Sequence, residues 1–268
     1  MAKLIVDLSE YKAGIDFARM KIEGVEGVII RGGDGTYLDK EFETFYSKAK
    51  LRGLPVGVFW YSRAVNVAQA QAEAERLYTH CLKGRSFDLP IYLDVECDAQ
   101  GSLGRDRLTA VILGWAKYLQ ERGYLCGLYT WPSWVRDKMH REQLTGLELW
   151  LCQWSTDKPA MECGMWQFGG EDNFIRSRTI AGQVVDQNYM YKDYPAIIKQ
   201  QGKNGYKKEG KTMYKFFEDV PSWAQEAVKA AMDKGAVKGT GKEGGKIVLN
   251  LSEDVVRMIA ILHNLKLV

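Results

Sequence analysis

The sequence predicts an α/β fold built from parallel β/α units, a closed barrel or a doubly wound sheet, followed by a small helical domain. Three observations predict it. Short apolar runs of strand length recur through the first 190 or so residues, helical stretches closed by glycine lie between several of them, and a polar Gly- and Lys-rich segment sets off a shorter C-terminal part.

In order along the chain, the apolar runs are residues 4–8, 27–31, 56–61, 91–95, 125–129, 147–154, 165–168 and 183–187, many rich in β-branched or aromatic side chains. Candidate helices run near 39–52, ending at Gly53 with Pro55 beyond, near 66–82, ending at Gly84, and near 105–122, ending at Gly123. Glycine just past a helical pattern is the usual C-terminal cap. No G-x-G-x-x-G follows the first strand, which removes the usual sign of a dinucleotide fold.

Pro195 ends the last unit, and QQGKNGYKKEGK, residues 200–211, has the composition of a linker. The expected layout is a barrel domain at 1–198, a linker at 199–212 and a small helical domain at 213–268. In that domain 221–234 reads as a helix with Trp223, Ala227, Val228 and Ala231 on one face. Residues 251–262 read as a second, with Ser252 as N-cap and Val255, Ile259 and Leu262 on the apolar side.

Composition narrows the function. At 46% hydrophobic and 26% charged residues the chain is an ordinary globular protein, and no stretch approaches the roughly 20 apolar residues of a membrane span, so no membrane insertion is expected. Net charge is only +3, which argues against nucleic acid as partner. Residues 1–200 hold 25 basic against 26 acidic side chains, whereas 201–268 hold 12 against 8, a balance suited to an anionic surface such as a cell wall. The five cysteines are odd in number and form no C-x-x-C, so neither a disulfide framework nor a zinc site is expected. Cys126 and Cys152 sit within apolar runs as small buried hydrophobes. MAKLIVDLSEYK has neither the basic segment nor the apolar core of a signal peptide.

In PIYLDVE, strand alternation puts Tyr92, Asp94 and Glu96 on one face, so two carboxylates share the C-terminal end of a buried strand. Burial beside a second acid raises a carboxyl pKa into the general-acid range. LIVDLS ends its apolar run on Asp7, and VVDQNY places Asp186 after Val184 and Val185. A lone Asp after a strand is usually a turn former or N-cap, but three such strand ends, one carrying D-x-E, point to a common site. The four acids converge only if the sheet closes or curls. His80, His140 and His263 lie at no expected strand end, and G-x-S-x-G is absent, so metal hydrolysis and serine or cysteine triads lack their residues. Acid and carboxylate chemistry, the requirement of glycoside hydrolysis, remains, with no metal and no cofactor expected.

These residues sit within a longer set of motifs: VDLSEYKAGIDF, GVIIRGGDGTYLDKEFETFYSKAKLRGLPVGVFWYSRA, LPIYLDVE, CGLYTWPSWV, LWLCQWS, MWQFGG and VDQNYM. In number, order and spacing they resemble the lysozymes of glycoside hydrolase family 25 over nearly all of residues 1–196. The resemblance implies an irregular TIM-like β/α barrel that cleaves the β-1,4 bond between N-acetylmuramic acid and N-acetylglucosamine in bacterial peptidoglycan. By motif, Glu96 would be the general acid and Asp94 would support charge at the reaction centre. Asp7 and Asp186 would complete the acidic cluster. Tyr61 and Trp166 would line the sugar cleft, and Arg31 would lie near it or hold a carboxylate. The family is taken to retain anomeric configuration, through an Asp nucleophile or the substrate's own acetamido group.

The segment FFEDVPSWAQEAVKAAMDKGAVKG is similar to the opening of a single S-layer homology motif, with Phe217, Asp219, Val220, Trp223 and Ala224 in the familiar order. KIVLNLSEDVVRMIAIL departs from it. Wall binding and a homodimer through this domain are the two expectations for the tail. A phage endolysin is the expected setting, with a bacterial autolysin or a catalytically silent glycan-binding protein as alternatives.

Overall fold

Strand β1 (Lys3–Leu8) pairs in parallel with β2 (Gly27–Asp34) on one side and antiparallel with β9 (Asp186–Met190) on the other, so the sheet closes on itself. From β2 the barrel continues in parallel through β4 (Val56–Tyr61), β5 (Ile91–Asp94), β6 (Cys126–Thr130), β7 (Glu148–Cys152) and β8 (Met165–Gly169). The short β3 (Tyr37–Leu38) folds back on β2 as a hairpin. Strand β9 runs antiparallel to β8 as well. This computed structural model describes residues 2–154, 156–170, 178–208 and 212–267. Two compact units divide the chain, residues 1–208 and 209–268.

Both faces of the barrel strands are buried, which is why they read as nearly continuous apolar runs. One set, Ile5, Ile29, Tyr92, Trp150, Met165 and Met190, fills the interior with Tyr194 and Ile198 of α7 (Tyr194–Gln201). The alternate set, including Val6, Ile30, Val58, Trp60, Leu93, Leu151 and Trp166, packs outward against the helices. There it meets Phe45 of α2 (Phe42–Leu51), Ala74 and Leu77 of α3 (Val67–Leu77), and Ile112 and Trp115 of α5 (Arg105–Gln120). The shorter α1 (Phe17–Ile22), α4 (Asp98–Gly101) and α6 (Pro132–Asp137) complete the connections. Gly53, Gly84 and Gly123 take the positive φ expected of helix-ending residues, although the 66–82 helix gives way to a π turn, Tyr78–Leu82, after Leu77.

Two sequence expectations need correction. The apolar run at 183–187 predicts the last strand there, but β9 begins at Asp186, and Val184 is exposed. Its first inward positions, Asp186 and Asn188, are polar, so a search for apolar runs slides toward the valines. The barrel unit also runs past the expected boundary at 198. Asn204 is fully buried, its side chain accepting from Leu125 N at 2.7 Å and donating to Leu89 O at 2.9 Å, while its backbone bonds Gly123 and Phe87. Residues 199–208 are therefore part of the barrel unit. Positions 209–211 of the expected linker lie outside the described residues.

The second unit packs α8 (Ser222–Asp233) against α9 (Glu253–Asn264), with Ser252 Oγ accepting from Val255 N at the α9 N-cap. Between them lies a hairpin of β11 (Gly241–Glu243) and β12 (Lys246–Val248) that the sequence did not signal. A further pair joins β10 (Met213–Tyr214) to β13 (Leu251–Ser252). The small core joins Ala224, Ala227, Val228 and Ala231 of α8 to Val256 and Ile259 of α9, with Tyr214, Val220 and Leu249. Trp223 and Val255, expected on the buried faces, are exposed, and Arg257 lies 5.5 Å over the Trp223 ring. Ala227, Val228, Ala231 and Ile259 are buried as the sequence predicts, and Ala224 and Val256 take the places expected of Trp223 and Val255.

Candidate active site

The four acids come to one rim. Asp7 near the end of β1 is the register partner of Asp186 at the start of β9. Because β9 is antiparallel, its first residue lies at the rim where the parallel strands end. Asp186 thus reaches the site from the opposite strand polarity to the one expected. Gly170 follows β8 beside it, and a methyl there would collide with the Asp186 carboxylate. Asp94 closes β5 between its register partners Tyr61 of β4 and Tyr129 of β6. Val95 is buried in the outer core, so alternation returns Glu96 to the side of Asp94.

The carboxylates differ in support. Asp7 Oδ2 accepts from Asn188 Nδ2 at 2.8 Å and from Gln167 Nε2 at 3.1 Å. Both amides are held in that orientation from behind. Trp150 Nε1, a donor only, reaches Asn188 Oδ1 at 2.8 Å. Tyr129 Oη and Trp154 Nε1 donate to Gln167 Oε1 at 2.9 and 3.1 Å. Burial raises the Asp7 carboxyl to about 6, and these bonds oppose the rise. Asp94 is equally buried, and its Oδ1 has no hydrogen-bond partner among the described residues. Burial, then the charges of Glu96 and Asp7, push it well above the ordinary carboxylate range. Glu96 is also raised, by burial, against a lowering bond from Trp131 Nε1 at 3.1 Å. A carboxyl that keeps its proton toward neutral pH beside one that has lost it is the division of labour that acid catalysis needs.

Tyr61 stands at the rim next to Asp94, half-buried, with the Arg63 guanidinium 4.6 Å over its ring. Burial and the charges of Glu96 and Asp94 push its phenol up to about 12. Trp166 is not in the cleft. It faces the helix layer, packed on Phe168 and Tyr189, with Nε1 donating to Gln153 O at 2.7 Å. Alternation along β8 gives the inward position to Gln167 instead. Arg31 holds carboxylates, donating from Nε to Asp39 at 2.7 Å and from Nη2 to Glu10 at 3.2 Å.

Gln167, Asn188, Tyr129, Trp131 and Trp154 were not singled out from the sequence. A signal existed for two: in D-Q-N and M-W-Q, period-two alternation puts Asn188 on the face of Asp186 and Gln167 on that of Met165. Among the described residues no group of His, Cys, Asp and Glu is arranged to hold a metal ion, and the five cysteines are buried free thiols. No helix there is long and apolar enough to cross a membrane.

A closed β/α barrel whose acids gather where the parallel strands end is an architecture of glycoside hydrolases. The chain belongs to glycosyl hydrolases family 25, whose model matches residues 6–175. It is 28% identical over 169 residues to the autolytic lysozyme of Clostridium acetobutylicum, an alignment that takes in 63% of this chain and 50% of that protein. The chain thus spans about half the length of that curated relative. Among solved structures, the CTP1L endolysin aligns over 87% of this chain and 80% of its own with a TM-score of 0.62 at 21% identity. A bacterial lysozyme from Streptomyces coelicolor aligns over 72% and 93%, with a TM-score of 0.60 at 18% identity. The modular autolysin LytC from Streptococcus pneumoniae aligns over 71% and 47%, with a TM-score of 0.60 at 23% identity. At these identities the structures speak for the fold.

Proposed function

We propose that the chain is a muramidase that cleaves the β-1,4 bond from N-acetylmuramic acid to N-acetylglucosamine in bacterial peptidoglycan. The observation that carries this reading is the pairing of Glu96, raised by burial, with an acidic rim in a family 25 barrel. Glu96 donates its proton to the leaving glycosidic oxygen. Asp7, ionised above about pH 6 and fixed by two amides, supplies the negative charge that steadies the oxocarbenium-like centre. Burial and the neighbouring acids favour the protonated form of Asp94 inside the site, and Asp186 adds to the acidic field beside Asp7. Tyr61 forms one wall of the sugar cleft. The test is digestion of purified peptidoglycan followed by borohydride reduction and identification of the new terminal sugar. Reduced muramic acid supports the reading, and reduced glucosamine or no new reducing end rejects it.

The biological setting we propose is a phage endolysin. The alignment with the CTP1L endolysin supports it, because it covers a share of this chain larger than the barrel unit alone. For the second unit we favour self-association over wall binding. Helix α9 exposes Val255, Met258, Ile261 and Leu265 along one side, opposite its buried Val256 and Ile259. Asp254 near the start of α9 and Lys266 just past its end carry opposite charges, which suits an antiparallel pairing of two copies along this apolar side. Sedimentation of the wild type and of Met258→Glu tests this, a dimer that becomes monomeric being the expected result.

A further inference from the structure

A cavity of about 580 Å³ opens between the β2–β3 hairpin and α3, at the same rim as the acids but outside their cluster. It shares a wall with the candidate active site. Arg63 lines the cavity and lies over the ring of Tyr61, whose register partner is Asp94. Most of the charge in that wall is already committed. Asp34 takes the Arg63 guanidinium through two bonds of 2.7 and 2.9 Å. Glu73 accepts from Arg63 N at 2.9 Å and from Ser62 Oγ at 2.7 Å. Arg76, one helical turn beyond Ala72 on α3, is exposed and makes no ion pair or hydrogen bond among the described residues.

The cavity therefore presents one uncommitted guanidinium beside small apolar side chains, Ala64 and Ala72 among them. Its volume is that of a small-ligand site, too large for a lone ion and suited to a short chain of residues. A guanidinium pairs best with a carboxylate, which it can grip through two parallel bonds. Muramic acid carries, on its lactyl group, a short peptide stem that bears carboxylates. We propose that this cavity receives the peptide stem of a muramic acid residue whose sugar lies against Tyr61, and that Arg76 pairs with a stem carboxylate. The inference rests on the muramidase reading for the identity of the ligand, and its site lies outside the acids that perform the cleavage.

The experiment compares two substrates, peptidoglycan with its stems intact and the same glycan stripped of stems by an amidase. Arg76→Ala is expected to lower kcat/KM on the stem-bearing strand roughly tenfold, mainly through KM, and to leave the stripped glycan unchanged. Arg76→Lys, which keeps the charge without the fork, should recover part of the loss. Equal losses on both substrates, or none on either, overturn the proposal. A second measurement needs no turnover: titration of alanyl-γ-glutamyl-lysine, a synthetic stem, into wild type and Arg76→Ala, followed by NMR. Saturable binding at millimolar concentration that the substitution abolishes supports the cavity. Binding that is absent, or that survives the substitution, overturns it. Were the wild type to release no muramic ends even from the stem-bearing strand, the muramidase reading would fall while the titration still decided the cavity.

Discussion

On the β1 and β9 side of the rim, Asp7 is buried but served by two amide donors, each locked by an indole or phenol behind it. On the β5 side, Asp94 is buried to the same degree, between two tyrosines in register, with one oxygen unserved. The first carboxyl rises only to about 6, and the second goes well beyond the ordinary range. Burial alone does not decide which acid carries charge at neutral pH. The donors that the neighbouring strands bring and the acids that crowd each site do, because bonds to the ionised form offset part of the desolvation cost whereas nearby negative charges add to it.

The largest test of that contrast is Glu96→Gln, which keeps shape but has no proton to give. Turnover on peptidoglycan should drop by about 10² to 10⁴ with the thermal transition no lower than wild type, and near wild-type turnover would remove Glu96 from the acid role. Asp7→Asn should separate activity from stability. The folded pKa of about 6 lies above the ordinary 3.8, so the stabilising contribution of Asp7 is fully present below pH 3.8 and is lost as pH rises through 6. At pH 7 the amide removes that loss and should stabilise by up to about 3 kcal/mol while abolishing activity, the gain vanishing near pH 3.8. Equal stabilisation at both pH values would mean that Asp7 titrates normally.

Asn188→Ala removes one of the two donors to Asp7 and leaves Trp150 Nε1 without its acceptor. The acid limb of the kcat/KM profile should move to higher pH by about one unit, with a stability loss of about 1–3 kcal/mol from the orphaned indole. An unmoved limb would show that the network is structural only. The smallest effect belongs to Trp166→Phe, which loses the bond to Gln153 O in the outer core. Stability should fall by about 1 kcal/mol and kinetic constants should stay within about twofold, since the ring faces the helices. A large loss in kcat would return Trp166 to the cleft.

The D-x-E pattern and strand alternation were enough to put Asp94 and Glu96 together, and glycines past helical stretches marked where helices end, because both depend on local periodicity and local backbone freedom. The motif set was enough to suggest the barrel and its family. Trp166 was misplaced because facing is relative: a residue one step from the inward Gln167 packs outward, and in a strand buried on both sides an aromatic residue signals neither face. The direction of β9, the burial of Asn204 and the amides that grip Asp7 were decided only by the tertiary structure. Each depends on partners more than 75 residues away in sequence, Asn204 on Leu125, Asn188 and Gln167 on Asp7. Local pattern identifies which residues can share a face. Closure of the barrel selects which strands become neighbours, and with them the donors that set the charge of each acid.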